Sequence, residues 1–140
     1  RWLVADLANM PVQDHSVDVI LNVFTPANYA EFQRILKPNG ALVKVVPAPG
    51  HMHELRQLAG CNLFHVDVQD HGVAEHLTRH MDLAGRTRTT QTSAVTRELA
   101  RDLARMSPVT FGMDTQSLDL DALTRITVDA EILIAHPSRR

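Results

Sequence analysis

One cysteine, Cys61, is all that the 140 residues contain. A disulfide framework inside the chain is therefore excluded, as is any zinc or iron–sulfur site built from several cysteines. A lone thiol fits a reducing, intracellular setting, and the cytoplasm is the expected location. Long apolar runs are missing as well. None approaches the roughly 18–20 residues that span a bilayer, and no signal peptide opens the sequence, so no membrane partner is expected. Charge of one sign is scarce: 14 Lys and Arg stand against 16 Asp and Glu, a formal net charge of -2. That balance argues against a protein held to nucleic acid by bulk charge, although a local basic face is compatible with it. Internal repeats and low-complexity segments are also absent.

What is present is a core. Hydrophobic residues make up 44% of the chain, too many for a disordered tail, and the length is that of one domain or part of one. There is no initiator Met, and the opening residues Arg1 to Asp6 read as a strand already under way. The sequence is expected to be a piece of a longer protein.

The apolar run at residues 2–5 stops at Asp6, and Asn9, Pro11, Asp14 and Ser16 punctuate a turn-rich connection behind it. Residues 17–24 read as a buried strand, nearly continuous in apolar character and ended by Pro26. Tyr29, Phe32, Ile35 and Leu36 recur at helical spacing, with Pro38 following. Asn39-Gly40 is a turn signal before a third strand at 41–46, and a helix over 51–59 stops at Gly60. This rhythm of strand and helix predicts a parallel α/β sheet with right-handed crossovers. Beyond it, residues 61–83 carry no firm assignment and 86–92 reads as a strand. Residues 93–106 predict a helix with the stripe Val95, Leu99, Leu103 and Met106, ended by Ser107-Pro108. A last strand covers 124–135.

The most specific feature is an ordered set: Val4 to Pro11, Asp14 to Asp18, the strand to Phe24, and Phe32-Gln33-Arg34-Ile35-Leu36-Lys37-Pro38-Asn39-Gly40 before the next strand. This set resembles the middle of a class I S-adenosylmethionine-dependent methyltransferase. Within that superfamily the phrases Thr25 to Phe32 and Pro47 to Leu55 are most similar to the 23S rRNA guanine-N1 methyltransferase family. The resemblance is good over residues 1–60 and rests mainly on element order over 61–140.

The resemblance implies the carboxyl-terminal part of a Rossmann-like domain, mostly parallel with an antiparallel C-terminal strand. Residues 1–60 would supply the cofactor edge, and 61–140 the last strands and a helix near the substrate. It implies S-adenosylmethionine as cofactor, ribosomal RNA as substrate, and methyl transfer to a guanine ring nitrogen. In an open α/β sheet the ligand lies outside the carboxyl ends of the strands, where Asp6, Asn22 to Pro26 and Pro47 to His51 fall. Asp6 and Leu7 match the family segment at the adenine edge, although an aspartate there also suits a simple turn cap. Asn22 and His51 are likewise cofactor-edge candidates, the alternative for His51 being a plain histidine at a helix start. Thr25 and Pro26 stand where base methyltransferases hold the target base. The stretch Asn22-Val23-Phe24-Thr25-Pro26 departs from the Asn-Pro-Pro-Tyr type used on exocyclic amines, which favours a ring nitrogen. No residue presents itself as the base.

Three family features have no counterpart in the sequence: the glycine-rich loop, the acidic residue for the ribose hydroxyls and the cysteine-built zinc module, so zinc would belong to a preceding segment only. The strand that carries the glycine-rich loop would normally pair with residues 17–24. An unpaired apolar edge there invites association, and the chain is expected to be marginal, a homo-oligomer or aggregation-prone. Arg97, Arg101 and Arg105 fall on one helix face that suits phosphates, but Glu98 and Asp102 offer local pairs, which favours a solvated face. His76 and His80 are spaced for a shared metal, yet eight histidines make such pairs easy by chance. Other readings of the whole are a methyltransferase of a small molecule and a non-catalytic binding module.

Overall fold

The computed structural model describes residues 4–60 and 67–138, except for the side chains of 67–71. Trp2 and Leu3 of the expected first strand lie outside the described residues, as do Cys61, His65 and the His71 side chain. Val4 and Ala5 are irregular rather than strand. The elements are β1 (Val17–Val23), α1 (Tyr29–Ile35), β2 (Leu36–Pro47), α2 (His53–Leu58), α3 (Asp67–His80), β3 (Met81–Ala94), α4 (Arg97–Met106) and β4 (Arg125–Pro137). Three short 3-10 turns separate α4 from β4.

The strands form one four-stranded sheet in the order β1-β2-β4-β3. β1 and β2 run parallel, with Val19 beside Ala41 and Val23 beside Val45. Between Val17–Val19 on β1 and Leu36–Ala41 on β2 the second strand carries three extra residues, so Asn39-Gly40 sits in a bulge of β2 rather than in a free turn. β4 runs against its neighbours. His136 Nδ1 meets the Gly40 carbonyl at one end while Ala48 N–H donates to the Asp129 carbonyl at the other. Ser138 likewise reaches Asp82, and Thr92 reaches Thr127. The expected α/β architecture with an antiparallel last strand is therefore present, with β1, β2 and β3 all pointing one way.

The chain divides into two compact units: residues 1–46, 68–88 and 131–140, and residues 47–67 and 89–130. The first has a core of Tyr29, Phe32, Leu36, Leu42, Leu77, Met81 and Leu133. Asn28 caps α1 by accepting from the Glu31 N–H at 3.2 Å. The second unit packs Leu55, Ala100, Ala104, Leu120, Leu123 and Ile126. Thr96 caps α4 by accepting from the Leu99 N–H, and Gly60 follows α2 in the left-handed region at φ 64°.

Three further sequence expectations change. Residues 93 and 94 finish β3, so the helix starts at Arg97. Its apolar stripe holds only in part: Val95 and Leu103 pack against the second core, but Leu99 is 45% and Met106 71% exposed, while Ala100 and Ala104 are buried. Short alanines let the helix backbone approach Leu120 and Leu123, which a face of leucines would hold off. Finally, residues 67–80, left without assignment by their scattered histidines, form α3, which buries Ala74 and Leu77.

The two sheet edges differ in chemistry. β3 is exposed along most of its length but carries Arg86, Arg88 and four threonines, which discourage pairing with other chains. β1 has no such protection, for Val19, Leu21 and Val23 are 58%, 68% and 40% exposed. Association through this edge is expected. Leu21→Lys should lower the mean mass measured by light scattering at equal protein concentration and leave the melting temperature nearly unchanged. An unaltered mass would show that another surface associates.

Candidate functional site

Beyond the carboxyl ends of β1 and β2, in the first unit, several polar side chains meet around a cavity of about 380 Å³. β1 ends where Phe24 turns into the left-handed region at φ 51°, its N–H still held by the Val45 carbonyl at 3.0 Å. A bulky residue at positive φ stores local strain and persists only where its surroundings hold it. The turn brings Thr25 and Pro26 back over Asn22.

Asn22 is buried at 7% exposure. Its Nδ2 donates to Thr25 Oγ1 at 2.8 Å and to the Pro26 carbonyl at 2.9 Å. A carbonyl can only accept, so the amide nitrogen must face Pro26, and Oδ1 must face the other way. There it accepts from Lys44 Nζ at 2.6 Å. Lys44 stands beside Asn22 in the β1–β2 register, is 5% exposed, and also donates to the Thr25 carbonyl at 3.1 Å. Burial pushes the Lys44 ammonium below its ordinary range, because the charged form loses water.

Thr25, Pro26, Tyr29, Lys44, Val73 and His76 line the cavity. Tyr29 is buried, its ring centre lying 5.2 Å from that of His76 and 5.9 Å from that of His80. Burial pushes its hydroxyl up. His76 and His80, singled out for metal spacing, pack their rings edge to face at 4.9 Å. Among the described residues no group of three or more His, Cys, Asp or Glu is placed to hold a metal ion.

Asp6 and Leu7 begin the loop that leads to β1. Asp6 Oδ1 accepts from the Ala8 N–H at 2.8 Å and its carbonyl from the Asn9 N–H at 3.1 Å, closing a turn. Leu7 packs against the first core. The loop is strapped to α1 by Glu31 and Arg34. Glu31 Oε1 accepts from the Met10 N–H at 2.7 Å, and Arg34 donates to the Met10 and Val12 carbonyls and pairs with Asp14. The Arg34 guanidinium, followed by the Met10 N–H, holds the Glu31 carboxyl at about 2. Sequence reading missed this strap, whose one local signal is the i, i+3 spacing of Glu31 and Arg34.

His51 belongs to the second unit. Gly50 there lets the turn press against β4: its N–H donates to Asp129 Oδ2 at 2.7 Å, and a Cβ at this position would stand 2.6 Å from that oxygen. Asp129 is 1% exposed and also accepts from Thr90 Oγ1. The His51 ring is pushed below its ordinary value, first by burial and then by the Arg56 charge. Glu54 accepts from the Thr127 N–H at 2.9 Å and hydroxyl at 2.6 Å. Burial pushes the Glu54 carboxyl up, but these bonds outweigh it and the net direction is down.

On α4, Arg97 pairs with Asp121, and Arg105 approaches Asp102 at 4.0 Å. Side-chain exposures of 63% for Arg97 and 74% for Arg105 describe a solvated face. Arg101 and Arg105 line a polar cavity of about 430 Å³ with Gln116 and Asp119.

No family model matches the chain. The Bacillus subtilis protein YxjB, named provisionally as a 23S rRNA (guanine-N1)-methyltransferase, is 32% identical over 95% of this chain and 48% of its own length. A Micromonospora griseorubida protein with the same provisional name is 37% identical over 90% of this chain and 43% of its own. The 23S rRNA (guanine(748)-N1)-methyltransferase of Streptomyces fradiae is 29% identical over 96% and 50%. The chain thus spans about half the length of the curated relatives it matches. A provisionally named methyltransferase of Bacillus halodurans C-125 superposes with TM-score 0.51 at 15% identity, covering 96% of this chain and 70% of that one. YcgJ of Bacillus subtilis gives 0.51 at 10% identity, covering 97% and 70%. The resemblance read in the sequence therefore holds in both comparisons: the relatives carry the expected family name, and the fold is that of a partial Rossmann-like methyltransferase domain.

Two outcomes follow from the geometry of the first unit. Asn22→Ala leaves Lys44 buried without its shortest acceptor, and should cost about 1–3 kcal/mol in urea unfolding. A loss within error of zero would mean that water replaces the amide. For Glu31 the carboxyl value is lowered on folding from 4.5 to about 2. Its contribution is therefore complete above the ordinary value and fades as pH falls through that window. Wild-type protein should lose more stability between pH 5 and pH 3 than Glu31→Gln, as read from urea midpoints at each pH; equal losses would remove the strap from the acid response.

Proposed function

We propose that this chain forms part of a cytoplasmic enzyme that transfers a methyl group from S-adenosylmethionine to ring nitrogen N1 of a guanine in 23S rRNA. The observation that carries this reading is the cavity beyond β1 and β2, in a chain whose relatives bear that activity in their names. Its volume of about 380 Å³ falls in the range of small-ligand sites. Its wall of Thr25, Pro26, Tyr29 and Val73, with one buried cation, suits a flat heteroaromatic base better than a phosphate.

The residues of the loop fit the cofactor's adenine. Asp6 is exposed, and its Oδ2 has no partner among the described residues, so it can accept from an exocyclic amino group. Leu7 anchors the loop to the core, and the Glu31–Arg34 strap fixes its course. His51 joins the cofactor edge through the sequence resemblance, as a ring that burial keeps neutral at pH 7. Asn22 acts through others: its amide is spent on Thr25, Pro26 and Lys44, so it positions the turn that lines the cavity. The cofactor, when bound, supplies an electrophilic methyl group. The protein's own task is to align the base while the ring proton departs.

The test is made in the host. Disrupting the gene should abolish one N1-methylguanosine in 23S rRNA, read by mass spectrometry of nuclease-digested RNA. Wild-type complementation should restore it, and Val73→Trp, which fills the cavity, should not. An unchanged N1-methylguanosine content after disruption would sink the proposal.

A further inference from the structure

We propose that Lys44 donates a hydrogen bond from its remaining ammonium proton to O6 of the target guanine, and so selects guanine and steadies the charge that reaches O6 when N1 loses its proton. This rests on the cavity being the site of the base, as proposed above.

The geometry that carries it begins with donor counting. An ammonium has three protons to donate. The described residues take two of them, through Asn22 Oδ1 at 2.6 Å and the Thr25 carbonyl at 3.1 Å. Lys44 nevertheless lines the cavity, at 5% exposure. A buried cation with an unfilled donor is costly unless something completes its shell. Neither of these acceptors is a carboxylate, so among the described residues no anion bonds to it directly. The charge is held in place by two neutral acceptors, on a residue that lines the cavity.

A guanine presents a carbonyl, O6, next to the N1–H that must be replaced. Adenine presents an amino group at the same position, and two donors facing each other repel. One cation therefore discriminates the purines by attraction in one case and by repulsion in the other. It also assists the proton transfer. When the N1–H bond breaks, its electron pair stays on the ring and spreads over N1, C6 and O6, while the proton passes to water. An ammonium beside O6 stabilises that anion by direct charge attraction. Among the described residues the other titratable groups on the cavity wall are Tyr29 and His76. Nothing in the local sequence points to this role. A lysine inside the strand 41–46 reads as an ordinary snorkelling side chain, and only its register with Asn22 brings it to the cavity.

The test compares two nucleotides, guanosine 5′-monophosphate and 2-aminopurine riboside 5′-monophosphate, which lacks O6. Binding to the chain is followed by NMR shifts of Thr25 and Tyr29. Wild-type protein should prefer the guanine nucleotide on the order of tenfold, the worth of one charge-assisted hydrogen bond. In Lys44→Met the preference should fall to less than about twofold, mainly by weaker guanine binding. Because that variant leaves Asn22 Oδ1 unpaired and can misfold, a second measurement uses wild-type protein alone. The ¹⁵Nζ resonance of Lys44 should move on titration with the guanine nucleotide and stay still with the 2-aminopurine one. Nucleotide binding with no preference for O6, or a preference that survives Lys44→Met in folded protein, overturns the role of Lys44 and leaves the cavity reading intact. No shift at Thr25 or Tyr29 with either nucleotide overturns both.

Discussion

A buried ammonium must be surrounded by acceptors, and this requirement organises the first unit of the protein. Lys44 lies on β2, and both of its acceptors are supplied by the end of β1 and the turn behind it. Asn22 cannot serve Lys44 unless its amide nitrogen is satisfied elsewhere, and that need pulls Thr25 and Pro26 back over the strand end. The turn accepts Phe24 at positive φ as the consequence. Register, turn and cavity wall are thus coupled through a single charge that has little access to water. Removing one partner exposes the cost of the others, because a half-satisfied polar cluster in low dielectric is worse than none.

The second unit solves a comparable problem with an anion. Asp129 is almost fully buried and accepts from the Gly50 N–H and the Thr90 hydroxyl, while Glu54 accepts from both polar groups of Thr127. These bonds tie the turn after β2 and the start of α2 to β4 and β3. They fix where His51 stands far more tightly than its position at a helix start would. Both units therefore use the same device: a turn at a strand's carboxyl end is held by buried polar groups of a neighbouring strand. Ligands of open α/β sheets gather at such ends, where side chains escape the ladder and loops can be shaped freely.

Most of the first sixty residues were legible because their signals are local. A β-branched run marks β1, the Tyr29–Phe32 spacing marks α1, and Gly60 marks the end of α2. The family motifs lie along the same stretch, so the methyltransferase resemblance and the turn residues Thr25 and Pro26 could be read directly. The helix α3 escaped because polar histidines interrupt its apolar face. The face of α4 was misjudged because hydrophobicity ranks Leu99 and Met106 above alanine, whereas close approach of helix backbones favours Ala100 and Ala104.

By itself, the sequence determined the order of strands and helices apart from α3, the family resemblance, the near-neutral charge and the apolar character of β1. Tertiary structure decided what those residues do to one another. Lys44 is separated from Asn22 by a helix and a bulge, and only the parallel pairing of β1 with β2 places them side by side. Glu31 and Arg34 are an ordinary helical pair until the loop of Met10 to Asp14 folds against them. Asp129 meets Gly50 across most of the chain. The physical reason is common to all three: burial of a charge is decided by what packs over it, and no local pattern records which distant acceptor will arrive.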